Sequence, residues 1–218
     1  MNKLTTAKEA IRRVKDGDTV MIGGFLQGGC PETLVKALVE ESTAKDLTII
    51  SNDTGRDTMQ TIRLQKQGRV KHVKATWIGA NSETGRMIIE DPDSVELCPQ
   101  GTFAERIRCG GTGIAGFLTP TGVGTVVEKG KQKLTLNGRE YLLETALHAN
   151  VALVHATIAD ESGNCFMRGS TKNFNALMPA AADYVIVAAE RIVPVGELDA
   201  ELVTVPGILV DAIVKAGE

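Results

Sequence analysis

DGDTVMIGGFLQGGCP, residues Asp16 to Pro31, is the stretch on which the reading of the chain turns. It holds a short apolar burst, Val20-Met21-Ile22, which reads as a strand. The burst breaks at Gly23-Gly24, followed by Phe25. A second pair, Gly28-Gly29, leads to Cys30-Pro31 and the start of a helix. A strand, a glycine loop and a helix N-terminus bring backbone N–H groups close to a bound anion. Glycine matters because a Cβ would block both the unusual backbone angles and the approach of a ligand. An ordinary strand-to-helix turn has the same spacing, so spacing alone leaves both readings open.

Outward from this stretch, strands and helices alternate. Thr6 and Glu9 form a capping box, and Ala7, Ala10, Ile11 and Val14 follow at helical spacing until Gly17. Pro31 suits the first position of a second helix whose buried stripe is Leu34, Val35, Leu38 and Val39. Strands are expected at 47–51, 70–76, 95–98, 151–158 and 184–188, with helices at 58–66, 83–89, 103–109 and 173–182. Lys133 to Leu143 reads as a hairpin with a type I′ turn at Asn137-Gly138. Residues 109–125 hold six glycines but also Ile114, Phe117, Leu118 and Val123, so an ordered loop over the sheet edge is expected. Residues 203–216 carry a Pro206-Gly207 turn and an apolar end with no clear assignment. The pattern predicts an α/β fold: a largely parallel open sheet with helices on both faces, as one domain over 1–218.

Composition narrows the function. A net charge of −3 gives no reason to expect nucleic acid or a membrane surface, and aromatics make up only 4% of the chain, too few for base stacking. No apolar run approaches transmembrane length and no export signal is evident, so a cytoplasmic protein is expected. Cys30, Cys98, Cys109 and Cys165 form no CxxC pair and no metal-ligand spacing with His72, His148 and His155. They are expected as reduced thiols, with Cys30 at a helix start the one candidate for a lowered pKa, although a small residue at a helix start is the commoner reading. His72 and His155 read as structural.

No G-x-S-x-G elbow and no P-loop lysine motif occur. Gly111 to Gly116 matches G-x-G-x-x-G by letter but follows a helix, which rejects it as a dinucleotide loop. What remains is a set of strand ends: the loop of Gly23, Gly24, Phe25, Leu26, Gln27, Gly28 and Gly29, then Asn52, then Gln100, with Asn81 a further candidate. In a parallel sheet such ends gather on one edge. Amides there can donate hydrogen bonds to an acyl oxygen without changing the charge. No nucleophile is evident.

These residues carry a likeness. Asp16-Gly17, the apolar triplet, Gly23-Gly24-Phe25, Gly29 and Pro31 resemble the signature of the family I coenzyme A transferases, in their alpha subunits. Ser51 to Thr54, Gly79 to Asn81, Pro99 to Thr102, Arg106 to Arg108, Gly116 to Thr125 and Lys172 to Asn175 extend the resemblance to acetate or butyrate:acetoacetate CoA-transferases over nearly the whole chain. The resemblance implies ping-pong transfer of CoA through a glutamyl-CoA thioester, on a glutamate that the family carries in the beta subunit within a Ser-Glu-Asn-Gly type motif. This chain has no such motif. The resemblance further implies that Gly23 to Gly29 bind CoA, that Gln100 stabilises the thioester oxyanion and that Asn52 shapes the acyl pocket, with Asn81 secondary. It implies an α2β2 assembly with a beta subunit, no metal and no cofactor, CoA being a substrate. Asp53 stands where some relatives carry Asn. Other readings are the equivalent half of a succinyl-CoA:3-oxoacid CoA-transferase, a sugar-phosphate isomerase or deaminase on the same fold, or a non-catalytic acyl-CoA-binding module.

Overall fold

The computed structural model describes residues 2–217. In chain order the elements are α1 (Ala7–Ile11), β1 (Thr19–Ile22), α2 (Glu32–Glu41), β2 (Leu47–Ser51), α3 (Gln60–Lys66), β3 (Val70–Ala75), α4 (Ser82–Glu90), β4 (Val95–Leu97) and α5 (Gln100–Gly111). Then come β5 (Gly116–Thr119), β6 (Lys133–Leu136), β7 (Arg139–Thr145), β8 (Ala149–Asp160), β9 (Cys165–Phe166), β10 (Ala182–Val193) and β11 (Ala212–Lys215).

The main sheet runs β11-β10-β8-β1-β2-β3-β4, all parallel, with β9 hairpinned antiparallel onto β8. From β1 the chain first builds outward through β2, β3 and β4, then returns to β1's other edge with β8 and continues through β10 to β11. The order therefore reverses at β1/β8, where open α/β sheets form their ligand crevice. Alternation along the strands gives two cores. Val20, Ile22, Leu47, Ile49, Val151 and Leu153 pack with α1 and α2, including Leu34, Val35, Leu38 and Val39. Met21, Ile50, Ala152 and Val154 face the other way, against Phe103 and Ile107 of α5 and Phe174 and Met178. The expected sheet with both faces covered is what the chain forms.

The differences from the sequence reading have physical causes. Thr6 caps α1 by accepting the Glu9 N–H at 3.2 Å, but the α-helix ends at Ile11, and Val14 is reached through a tighter turn that bonds to Ile11 O. Pro31 is the cap of α2 and Glu32 its first residue. The α5 helix starts at Gln100, three residues earlier than expected, because Pro99 O already accepts the Phe103 N–H. Residues 173–182 form short 3-10 turns, Phe174–Ala176 and Met178–Ala181, and not an α-helix. Pro179 lacks the N–H a helix would use, and the Asn173 and Asn175 side chains bond locally to Asn175 N and Thr171 O, competing with a helix ladder.

Residues 109–125 are not only a loop. They contain β5, which pairs antiparallel with β7 to give the small sheet β5-β7-β6. The hairpin of that sheet turns at Asn137 (φ 50°) and Gly138 (φ 74°), the two left-handed residues a type I′ turn requires. Gly110, in the last turn of α5, lies close against the chain that leads into β8: a Cβ there would sit 1.9 Å from Leu147 O. The tail that the sequence pattern did not assign supplies the edge strand β11.

A partly buried ion cluster ties the small sheet to the large one. Arg106 of α5 donates from Nε to Thr145 O at 2.8 Å and from Nη1 to Glu96 of β4. Glu96 also pairs with Lys74, and the buried Glu144 pairs with Lys131 at 2.6 Å. No helix among the described residues is long and apolar enough to cross a membrane.

Candidate functional site

The glycine loop leaves the C-terminal end of β1 at the switch point. Phe25 and Gly28 bond to each other through both main-chain groups, N–H to O at 3.0 and 2.9 Å, so Leu26 and Gln27 form the tip of a tight turn. Leu26 adopts a positive φ of 51°. Its N–H donates to Asp53 Oδ2 at 2.8 Å, and its carbonyl accepts the Cys30 Sγ–H at 2.8 Å. Both polar groups of a strained residue are thus held. Cys30 must keep its proton to act as donor, and it does: burial, with the Glu32 and Asp53 charges adding to it, pushes the thiol up to about 12. The candidate lowered pKa at Cys30 is therefore corrected. The helix start is outweighed by desolvation and two nearby carboxylates.

The far side of the loop is held by residues late in the chain. Gly24 N donates to Asn173 Oδ1 at 3.2 Å, and Asn173 Nδ2 donates to Gly28 O at 3.0 Å. Asn175 is fully buried; its Nδ2 donates to Gly29 O at 2.8 Å while its Oδ1 accepts the His155 N–H at 2.9 Å. The glycines make this possible. A Cβ at Gly23 would lie 2.0 Å from Asn175 Oδ1, and one at Gly24 would lie 2.5 Å from Cys30 Sγ, with Gly24 at a φ of +113° besides.

Beside the loop opens a pocket of about 360 Å³. Phe25 and Leu26 of the loop and Trp77, two residues past β3, supply its apolar lining. Asn52, Asp53, Thr76 and Gln100 line the remainder. Gln100 Nε2 donates to Asn52 Oδ1 at 2.8 Å, Thr76 Oγ1 donates to the same oxygen at 3.2 Å, and Asn52 Nδ2 donates to Asp53 Oδ2 at 2.7 Å. Asp53 accepts a third hydrogen bond from Gly55 N at 2.9 Å. Gln100 is exposed while Asn52 is buried, so the second N–H of Gln100 remains available to the pocket.

The structure thus brings the loop, Asn52 and Gln100 to one edge. Within the loop Phe25 and Leu26 face the pocket, Gly23, Gly24, Gly28 and Gly29 are consumed in holding the turn, and Gln27 is exposed at the tip. Asn81 is placed elsewhere. It caps α4 by accepting the Glu83 and Thr84 N–H groups, and its Nδ2 donates to Thr54 O and to Gln65 Oε1, both at 2.8 Å. Its amide is spent on supporting the segment after β2, and it does not line the pocket. Glu32 lies beneath the loop, where it accepts the Gln60 N–H at 3.1 Å; burial raises its pKa.

Three contributors were not visible in the sequence. Asn173 and Asn175 sat in a quoted motif, but only the fold shows that they meet a loop some 146 positions away. Trp77 carries no motif; its one signal was to stand just past a strand end, as Asn52 does. His155, read as structural, packs its Nε2 against Glu190 Oε1 at 2.9 Å. The four cysteines are free, and among the described residues no group of three or more His, Cys, Asp or Glu is placed to hold a metal ion.

The open parallel sheet carries a glycine loop at its switch point, and the amides of Asn52, after β2, and Gln100, after β4, meet beside it. The chain belongs to the coenzyme A transferase family, whose sequence model matches residues 4–216. It is 50% identical over 201 residues to the acetoacetyl-CoA:acetate/butyrate CoA transferase alpha subunit of Clostridium acetobutylicum, covering 92% of each chain. It is 47% identical over 216 residues to the alpha subunit of the acetate CoA-transferase of Escherichia coli, covering 99% of this chain and 98% of that one. The fold matches the acyl-CoA transferase YdiF of E. coli O157:H7 with a TM-score of 0.89 at 21% identity, over 98% of this chain and 47% of that longer one. It also matches the glutaconate coenzyme A-transferase of Acidaminococcus fermentans, with a TM-score of 0.85 at 22% identity over 98% of this chain and 75% of that one.

Proposed function

We propose that this chain is the alpha subunit of a heteromeric CoA-transferase that moves CoA between a short-chain acyl-CoA, such as acetyl-, butyryl- or acetoacetyl-CoA, and a carboxylic acid. One observation carries the reading. The pocket offers an amide donor at Gln100, backed by Asn52, but its one carboxylate, Asp53, is committed to three hydrogen bonds. It is a site that polarises a thioester and lacks a free nucleophile. The attacking carboxylate is therefore assigned to a beta subunit placed over the pocket mouth, and the resemblance implies an α2β2 assembly. The alpha-subunit names of the two relatives support the same division of labour.

In this reading the partner's glutamate oxygen attacks the thioester carbonyl carbon. The carbonyl oxygen becomes an oxyanion beside the Gln100 N–H, the C–S bond breaks, and CoA leaves as a thiolate. The thiolate then attacks the glutamyl carbon of the resulting anhydride and releases the first acid, leaving a glutamyl-CoA thioester. The second acid takes the CoA by the reverse steps. Splitting the exchange through a covalent intermediate lowers each barrier. The Gly23 to Gly29 loop meets the CoA portion through its tip, Phe25, Leu26 and Gln27, the glycines being spent on shaping the turn, and CoA is a substrate, with no separate cofactor. Asn81 acts from behind by keeping the end of β2 in place.

The test is an assay of acetyl-CoA with acetoacetate or butyrate, using this chain alone and then with a beta subunit that carries a Ser-Glu-Asn-Gly type motif. Transfer only by the pair is the expected result. Transfer by this chain alone would show that one of its own carboxylates is the nucleophile.

A further inference from the structure

We propose that the pocket lining beside the glycine loop makes this site select uncharged acyl chains over dicarboxylic ones, with Trp77 and Asp53 as the specificity-determining residues. The inference rests on the CoA-transferase reading above and names the acid that the site prefers.

Trp77 is held in place by the backbone. It follows β3 and forms a main-chain bridge with Asp53. Its indole lies across Gly79, where a Cβ would meet ring atoms Cζ2 and Cε2 at 2.8 and 2.9 Å. Phe25 lines the same pocket. The two residues are 46% and 45% exposed, an unusual amount for large aromatics so firmly placed. Against them an acyl chain would bury apolar surface while its carbonyl stayed near Gln100 and Asn52.

Charge decides which chain fits. The lining contains no Lys, Arg or His, and its one ionisable side chain is Asp53. No ion pair involves Asp53 among the described residues; its carboxylate is held by N–H dipoles alone. A distal carboxylate on a succinyl-like chain would be desolvated beside an indole and would face a like charge with no cation of this chain to offset either cost. A methyl or propyl terminus meets neither penalty. The site thus excludes by repulsion as well as by fit.

The experiment compares kcat/KM for butyrate, acetate and succinate as CoA acceptors in the assembled enzyme, for wild type, Trp77→Ala and Trp77→Arg. Wild type should favour butyrate over succinate by about 100-fold or more. Trp77→Ala should lower kcat/KM for butyrate by roughly 10-fold and that for acetate by less, since each methylene in an apolar pocket contributes a factor of about 10 or more. Trp77→Arg should raise succinate relative to butyrate by at least about 10-fold. Trp77 is the one tryptophan of this chain, so the emission difference between wild type and Trp77→Phe assemblies isolates it. Butyryl-CoA should shift that emission. Equal use of succinate and butyrate by wild type, or a ratio unmoved by both substitutions, overturns this inference and leaves the transferase reading standing. A Trp77 already buried by the partner and blind to butyryl-CoA overturns it too. Failure of every acid to accept CoA overturns both.

Discussion

The side-chain amides of Gln100 and Asn52 meet at 2.8 Å although they stand at the ends of different elements, Gln100 opening α5 and Asn52 closing β2. Asn52 is pinned by Thr76 and Asp53, so Gln100 inherits a fixed orientation from residues already fixed by the sheet. A donor aimed in advance needs no reorganisation when charge develops on the thioester oxygen.

Gln100→Ala should therefore lower kcat of the assembled enzyme by about 10²-fold, with KM for the acyl-CoA changed far less. Steady-state kinetics against acetyl-CoA reads both. An unaltered kcat would remove Gln100 from the reaction.

Gly24→Ala puts a methyl 2.5 Å from Cys30 Sγ at a φ of +113°. The loop must shift, and overpacking of this kind costs about 1–3 kcal/mol. The expected result is a folded chain whose KM for acyl-CoA rises roughly 10-fold, by the same cost. Calorimetric titration of the assembly with CoA checks it; unchanged affinity would mean that the loop only makes a turn.

The Cys30 thiol should resist alkylation. With its pKa pushed to about 12, from an ordinary 9.0, its thiolate is scarce at pH 8. Iodoacetamide should label it at least about 100-fold more slowly than free cysteine, and at the ordinary rate once the chain is unfolded in urea. Rapid labelling of Cys30 in the native chain would contradict its role as a hydrogen-bond donor to Leu26.

Glu96 should contribute to acid unfolding. Burial pushes its carboxyl up, but the Lys74 hydrogen bond and the Arg106 charge outweigh it and hold the pKa below the usual 4.5. A depressed folded value means stability that is fully present above the unfolded pKa and lost as pH falls through the folded one. Urea midpoints at pH 7, 5 and 3 should fall less steeply for Glu96→Gln than for wild type. The variant should be the weaker of the two at pH 7.

Much of this was legible in the sequence because it is written in local chemistry. β1, β2 and the 133–143 hairpin announce themselves by β-branched runs and by Asn137-Gly138, and the buried stripe of α2 by its spacing. The strand ends at Asn52 and Gln100 followed from parallel topology. What stayed hidden depends on contacts between distant segments. Asn81 has the composition of a site residue, yet the needs of α4 and Gln65 claim all of its amide. Residues 173–182 have helical apolar spacing, yet two asparagines facing a glycine loop dictate 3-10 turns. Trp77 gave only its place after a strand, since a single aromatic there gains meaning only from the residues that line the pocket with it.

The bonds from Asn175 to Gly29 and to the His155 N–H also fix an order of events during synthesis. Until β8 is made, β1 has only β2 beside it. Until residues 173–175 follow, the carbonyls of Gly28 and Gly29 lack the side-chain amides that hold them. A ribosome delivers the amino-terminal half of a chain first. The glycine loop is therefore translated early and completed late, only after β8 and then residues 173–175 have been made. A half-made chain presents no half-made site.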